Sequence, residues 1–349
     1  MQNSRYCKPV FGRQSIPLFL TFTIGIVLSF AAAIAVHDWE DERIRLAFDQ
    51  DAYDSIMALQ RNLEHYTDQI RAIGSLYKAS RKVDREEFHA FVSDILLHSS
   101  GIRALEWVPR VNNSERENYL EAMRADIPGY RITERTAQEE LVAAAVRDFY
   151  YPVTFVEPVK DNEHALGFDL GSNPVRLKVL HEARDSGELV ASGRLRLVQE
   201  TGDQAGLLFS LPVYHNDMPA KTIEQRRKNL HGFIVGVFRL SDLVRTSLAY
   251  HNKQHIMLQI YDASGANDGK NLLYSRTGAE PRGTGRNKLS GNRLNLRINI
   301  TTGGRQWLIH ATARADRYTS ASSWNWLVVL LAGLLFSALL ALYLTNNLD

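Results

Sequence analysis

A single cysteine, Cys7, in 349 residues leaves no partner for an internal disulfide and excludes a multi-cysteine zinc site. It precedes the first apolar run, where palmitoylation and an inert thiol are both open readings. An excess of one charge sign is also missing, since Lys+Arg 41 against Asp+Glu 39 gives a formal net charge of +2. That balance, with no basic stripe interleaved by aromatics, argues against nucleic acid as a partner. The signatures GxxxxGK[ST], HExxH and GxSxG and the EF-hand loop are absent, so no catalytic residue is assigned. "RGTGR" at residues 282–286 lacks the preceding strand and the spacing of a phosphate loop and reads as a turn. The 11 histidines are scattered, with His89 and His98 too far apart for one helical metal site, so neither metal nor cofactor is expected. Hydrophobic content of 45% and charged content of 23% exclude wholesale disorder. The length implies more than one compact unit.

What is present begins with two long apolar runs. Residues 16–36, IPLFLTFTIGIVLSFAAAIAV, and 324–344, WNWLVVLLAGLLFSALLALYL, are each long enough to cross ~30 Å of hydrocarbon. Trp324, Trp326 and Tyr343 sit at the ends of the second, where amphipathic rings favour the headgroup layer. Arg5, Lys8 and Arg13 precede the first run, and Asp38, Glu40, Asp41 and Glu42 follow it. The positive flank places residues 1–15 in the cytoplasm and 37–323 outside a cell inner membrane, with 345–349 returned to the cytoplasm. A cleaved signal peptide with Ala33-Ile34-Ala35 as its site is the rival reading. No basic residue follows the second run, which is expected of the sensory part of a longer protein or of one that works through a partner.

Between the runs, Ile56, Leu59, Leu63, Tyr66, Ile70, Ile73 and Tyr77 keep a 3.5-residue repeat. A stalk helix over residues 38–84 follows from it, either seaming a homodimer or lying on its own domain's core. Beyond it, a helix over 85–98, another over 115–124 and one from Asn173-Pro174 to Gly187 alternate with β-branched runs. "RLNLRINITTGGRQWLIHATA" predicts a hairpin through Gly303-Gly304. Interspersed helices and hairpins make the class α+β with antiparallel sheets. A border between two subdomains, 85–220 and 221–320, is expected in the polar stretch 215–229.

The sharpest polar candidate is Asp169, held between Phe168 and Leu170 in "LGFDLGSNPVR". It is either an Asx-turn residue accepting an N–H two positions on or a pocket acceptor selecting a ligand donor. Glu163, Asp169 and Glu182 would need ~5–9 Å spacing to act as a hydrolytic pair. Glu163 and Glu182 read as surface acids instead.

The ordered segments "YYPVTFVEP" (150–158), "GFDLGSNPVR" (167–176), "ARDSGELVASGRLRLVQE" (183–200), "LLFSLPVY" (207–214) and "GFIVGVFRLSDLV" (232–244) together resemble the CHASE domain. That module is the extracytoplasmic sensor of many bacterial histidine kinases and diguanylate cyclases and of plant cytokinin receptors. The resemblance covers residues 38–318. It implies a stalk helix leading into two PAS-like subdomains, the membrane-distal one holding a small-molecule ligand. It also implies pocket roles for Asp169, Ser192, Val198 and Ser210. Ser210 matches a threonine of cytokinin-binding members, and an adenine-type ligand is one possibility among several. A cytoplasmic kinase or cyclase domain, in the same chain or a separate one, is the implied output. A membrane-tethered periplasmic enzyme and a scaffold recruiting a signalling protein are the alternatives.

Overall fold

The computed structural model describes residues 15–197, 205–248, 256–264, 272–275, 294–313 and 324–347. The chain divides into two compact units, residues 51–312 and the flanking pair 1–50 and 313–349.

In the flanking unit, helix α1 (Ser15–Ala79) begins, and helix α7 (Asn325–Asn347) ends the described chain. Both are long and apolar enough to cross a membrane. They meet through matched small residues: Gly25 faces Ser337 and Ser29 faces Gly333. Each helix carries a small-xxx-small pair, and the missing side chains let the backbones approach closely. The hydroxyls are satisfied within their own helices, Ser29 Oγ donating to Gly25 O at 2.7 Å and Ser337 Oγ to Gly333 O at 2.8 Å. One turn beyond the apolar stretch, Asn325 Nδ2 donates to Glu40 Oε1 at 2.6 Å, and the His37 and Trp326 rings lie 6.3 Å apart.

Within residues 51–312, α1 is followed by α2 (Arg85–Leu97), β1 (Ala104–Pro109), β2 (Val111–Asn112), α3 (Arg116–Asp126), β3 (Thr133–Arg135), β4 (Leu141–Ala143), β5 (Phe149–Tyr150) and β6 (Phe155–Glu157). Then come α4 (Pro174–Ser186), β7 (Val190–Ala191), β8 (Leu195–Arg196), β9 (Ala205–Tyr214), α5 (Ile223–Lys228), β10 (Leu230–Arg239) and α6 (Leu240–Leu248). The strands β11 (Ile256–Asp262), β12 (Leu272–Ser275), β13 (Asn295–Thr302) and β14 (Arg305–Ala313) finish the unit. One sheet runs β6-β1-β10-β9-β7 with β8 also on β9, and a second runs β12-β11-β14-β13. The α+β class and the two antiparallel sheets are as expected.

The first sheet is covered on both faces. Its alternation places Leu105, Trp107, Ile234, Phe238, Phe209 and Leu211 toward α1. Tyr77 stacks on Trp107 at 4.0 Å between ring centroids, and Tyr66 meets Phe238 at 5.5 Å. Gly236 permits this packing, because a Cβ there would come within 2.6 Å of Ile70 Cδ1. The opposite face, with Ala104, Val108, Leu208, Phe233, Val235 and Val237, packs beneath Tyr151, Phe168, Leu180 and Ala183. Burying a Phe such as Phe233 contributes about 1.5–3 kcal/mol.

Of the two readings of the repeat Ile56 to Tyr77, the helix takes the second: it is buried against this unit's own sheet, each of its seven residues at 5% exposure or less. One expectation needs correction, since residues 215–229 do not divide subdomains. They connect β9 to β10, which pair from Tyr214↔Leu230 to Gly206↔Arg239 within one sheet, so the change of sheet comes after α6.

Local predictions match closely elsewhere. Asn173 Oδ1 caps α4 by accepting from Val175 N and Arg176 N, Pro174 opens the helix, and Gly187 closes it at φ 79°. Gly303 and Gly304 join β13 to β14, and Gly303 O accepts from Ala191 N at 2.8 Å, tying the second sheet to β7.

Candidate functional site

Asp169 is fully buried, and its carboxyl is occupied. Oδ1 accepts from Tyr151 N at 2.8 Å and Gly171 N at 2.9 Å, while Arg147 Nη1 lies 3.3 Å from Oδ2. Of the two roles open to it, the Asx turn is the one its contacts make. Burial raises its pKa, and the two amides and Arg147 oppose that shift. Backbone bonds from Asp169 N to Thr133 O and from Leu170 N to Tyr151 O pin the segment further. Asp169 lines none of the described cavities. Glu163 and Glu182 are exposed, so they form no buried pair with it.

Ser192 is likewise buried and used. Its Oγ donates to Gly193 O at 2.8 Å and accepts from Leu208 N at 2.9 Å, fastening the end of β7 to β9. Ser210, one register further along β9, is buried with an Oγ that has no partner among the described residues. Val198 lies outside the described residues, as does the 282–286 turn.

The first sheet brings a further acid beside Ser210 that sequence reasoning missed. Glu106 on β1 pairs with Val235, which pairs with Ser210, so all three side chains share the face opposite α1. Glu106 is 2% exposed, and no hydrogen bond or ion pair reaches its carboxyl among the described residues. Burial pushes its pKa up to about 8, with Arg176 opposing the shift. The signal for it was an acid inside the apolar run "ALEWVP", the same pattern that drew attention to Asp169.

Arg176, at the start of α4, belongs to this cluster and opens onto a cleft. The cleft measures about 310 Å³ and is walled by the β3–β4 hairpin (Arg135, Glu139), the α4 entry (Phe168, Arg176) and β8 (Arg194, Arg196). That volume suits a small molecule. Arg176 is 6% exposed, its guanidinium lies 5.2 Å from the Phe168 ring centroid, and Nη2 donates to Arg196 O at 2.7 Å. Its Nε has no partner among the described residues. Burial lowers its pKa to about 10, and Glu106 acts against that.

Two other depressions are comparable in size. One of about 440 Å³ lies between α1 and the β13–β14 turn, and one of about 450 Å³ lies beside His215 and His231. The first is lined by no buried polar atom lacking a partner, whereas the second is lined by Tyr77, whose buried hydroxyl has no partner among the described residues. No group of three metal-binding side chains occurs among the described residues.

An antiparallel α+β body in a chain with two membrane-length helices, and with a molecule-sized cleft under one helix entry, has the form of a sensory domain. The family model for the CHASE domain matches residues 81–274, more than half of the chain, and the chain belongs to that family. Among curated proteins, a hybrid signal transduction histidine kinase A of Dictyostelium discoideum is 25% identical over 88% of this chain and 15% of its own length. A germination-specific adenylate cyclase of the same organism is 22% identical over 45% of this chain and 18% of its own. The chain therefore spans less than a fifth of either relative. Among solved structures, the periplasmic sensory domain of the Campylobacter jejuni chemoreceptor Tlp1 superposes with TM-score 0.49 at 8% identity, over 81% of this chain and 97% of that one. The Pseudomonas aeruginosa amino acid chemoreceptor PctB with L-Gln gives 0.44 at 12%, over 82% and 97%.

Proposed function

We propose that this CHASE protein is a membrane-anchored receptor whose signal is a small molecule bound in the cleft above Arg176. The observation that carries the reading is that cleft of about 310 Å³, lined by a buried guanidinium one of whose N–H groups has no partner among the described residues. Ser210 and Glu106 lie behind it on the sheet face, and Asp169 shapes its wall by turning the chain into Ser172 and Asn173. In this reading residues 37–323 face the exterior, the N-terminus is cytoplasmic, and the first sheet forms the membrane-distal, ligand-holding part. Helices α1 and α7 carry the change inward to a kinase or cyclase output, in the same chain or a separate one. Ligand control requires only that the molecule bind one arrangement of the domain more tightly than another. A homodimer would use the exposed polar face of α1, which carries Arg61, Asp68 and Ser75 at heptad spacing.

Thermal-shift screening of the full chain in detergent against adenine derivatives, amino acids, fatty acids and peptides tests the proposal. A compound that raises the melting temperature of the wild type but not of Arg176→Gln supports it. Stabilisation by ligands that ignore cleft substitutions, or by none, ends it.

A further inference from the structure

Arg176 poses a problem that the described residues leave unsolved. A guanidinium at 6% exposure requires an anionic or strongly accepting partner, because an unpaired buried charge is costly. The obvious acid, Glu106, makes no ion pair with it among the described residues, and burial favours the neutral form of that carboxyl. The cleft's own acid, Glu139, is committed elsewhere. It contacts Arg135 Nη1 closely and lies 4.0 Å from Arg196. Among the described residues Arg176 is left with one carbonyl on Nη2, a ring beneath its plane and an Nε–H with no acceptor. The α4 amides are no substitute donors, since Asn173 already caps Val175 N and Arg176 N, although the positive end of the helix adds to the local field.

We propose that the cleft is selective for an anionic group, a carboxylate or a phosphate, held by the charge of Arg176 in its lining within a field strengthened by Arg194 and Arg196. The inference rests on the receptor reading above and gives its ligand a chemistry. Guanidinium is suited to both oxyanions because its N–H groups are planar and fixed. Arg194 and Arg196 are exposed, so their contribution falls with salt, whereas that of Arg176 persists.

The test uses the full chain in detergent, titrated with sodium phosphate and with sodium succinate, against sodium chloride at matched ionic strength and neutral succinamide. Saturable stabilisation by phosphate alone identifies a phosphate site, and by succinate alone a carboxylate site. In either case Arg176→Gln should raise Kd at least tenfold. Arg196→Gln, on an exposed side chain whose loss leaves the fold intact, should raise it about threefold at low salt and less at 0.5 M. The inference is overturned if neither anion exceeds chloride, or if both variants keep the wild-type Kd. Should an uncharged compound from the screen bind in the cleft while both anions fail, the anion inference falls and the receptor reading stands. Should nothing bind at all, both fall.

Discussion

Strand β10 is buried almost without interruption, whereas β11 alternates buried and half-buried residues and β13 alternates exposed residues with half-buried or buried ones. The first sheet is a slab between α1 and the layer containing α4, and the second keeps one face toward water. The difference governs where polar chemistry can matter. On the second sheet a charge such as Arg297 lies on the exposed side and costs little. On the first, Glu106 and Ser210 have no water to turn to, and each polar atom requires a partner or a ligand.

Core truncation should show the largest contrast. Phe233→Ala is expected to cost about 3–5 kcal/mol, and Ile298→Ala, half-buried on β13, about 1 kcal/mol, measured by urea unfolding. Equal costs would break the comparison. Next comes Asp169→Ala, which strands the Tyr151 and Gly171 amides and should cost about 1–3 kcal/mol. A neutral effect would mean that the turn is held by its backbone bonds alone.

The pH dependence is smaller and has a definite sign. Glu106 has a folded pKa raised from 4.5 to about 8, so the folded state holds a proton that the unfolded chain releases. Stability therefore falls as pH rises through that window, by about 1–2 kcal/mol between pH 6.5 and 8. Glu106→Gln should flatten this slope, and a persisting slope would remove Glu106 as its source. His231, lowered to about 4 by burial and by His215, acts in the opposite sense and only below pH 6.5. The smallest effect is a null. Cysteines at Tyr66 or Tyr77 should fail to crosslink between copies in membranes even if the protein dimerises, while cysteines at Asp68 or Ser75 would report such a dimer.

Much of this was legible in the chain. The α4 cap at Asn173-Pro174, the Gly303-Gly304 hairpin and both apolar spans are local patterns with local causes, and each appears where the pattern places it. The seam from Ile56 to Tyr77 was legible as a helix face but not as to its partner, because the same spacing serves a second helix or a sheet. The polar stretch 215–229 resembled a linker because a hairpin connection and a domain border have the same composition. At the site, the segment around Asp169 was found with a turn role and a pocket role both open. Its bonds come from Arg147 and from amides 2 and 18 residues away that only the fold brings near. Arg176 was hidden by its type, since an arginine at a helix start normally reads as solvated.

The five tryptophans fall in separate places: Trp107 in the first sheet, Trp307 in the second, and Trp39, Trp324 and Trp326 in the flanking unit. With those last three replaced by phenylalanine, each sheet would keep one indole of its own. Trp107 touches both Tyr77 and His231, while Trp307 is wholly enclosed, so the two emissions should differ in colour and in quenching. The protein thus carries built-in fluorophores able to reveal which sheet loosens first on heating, without any attached label.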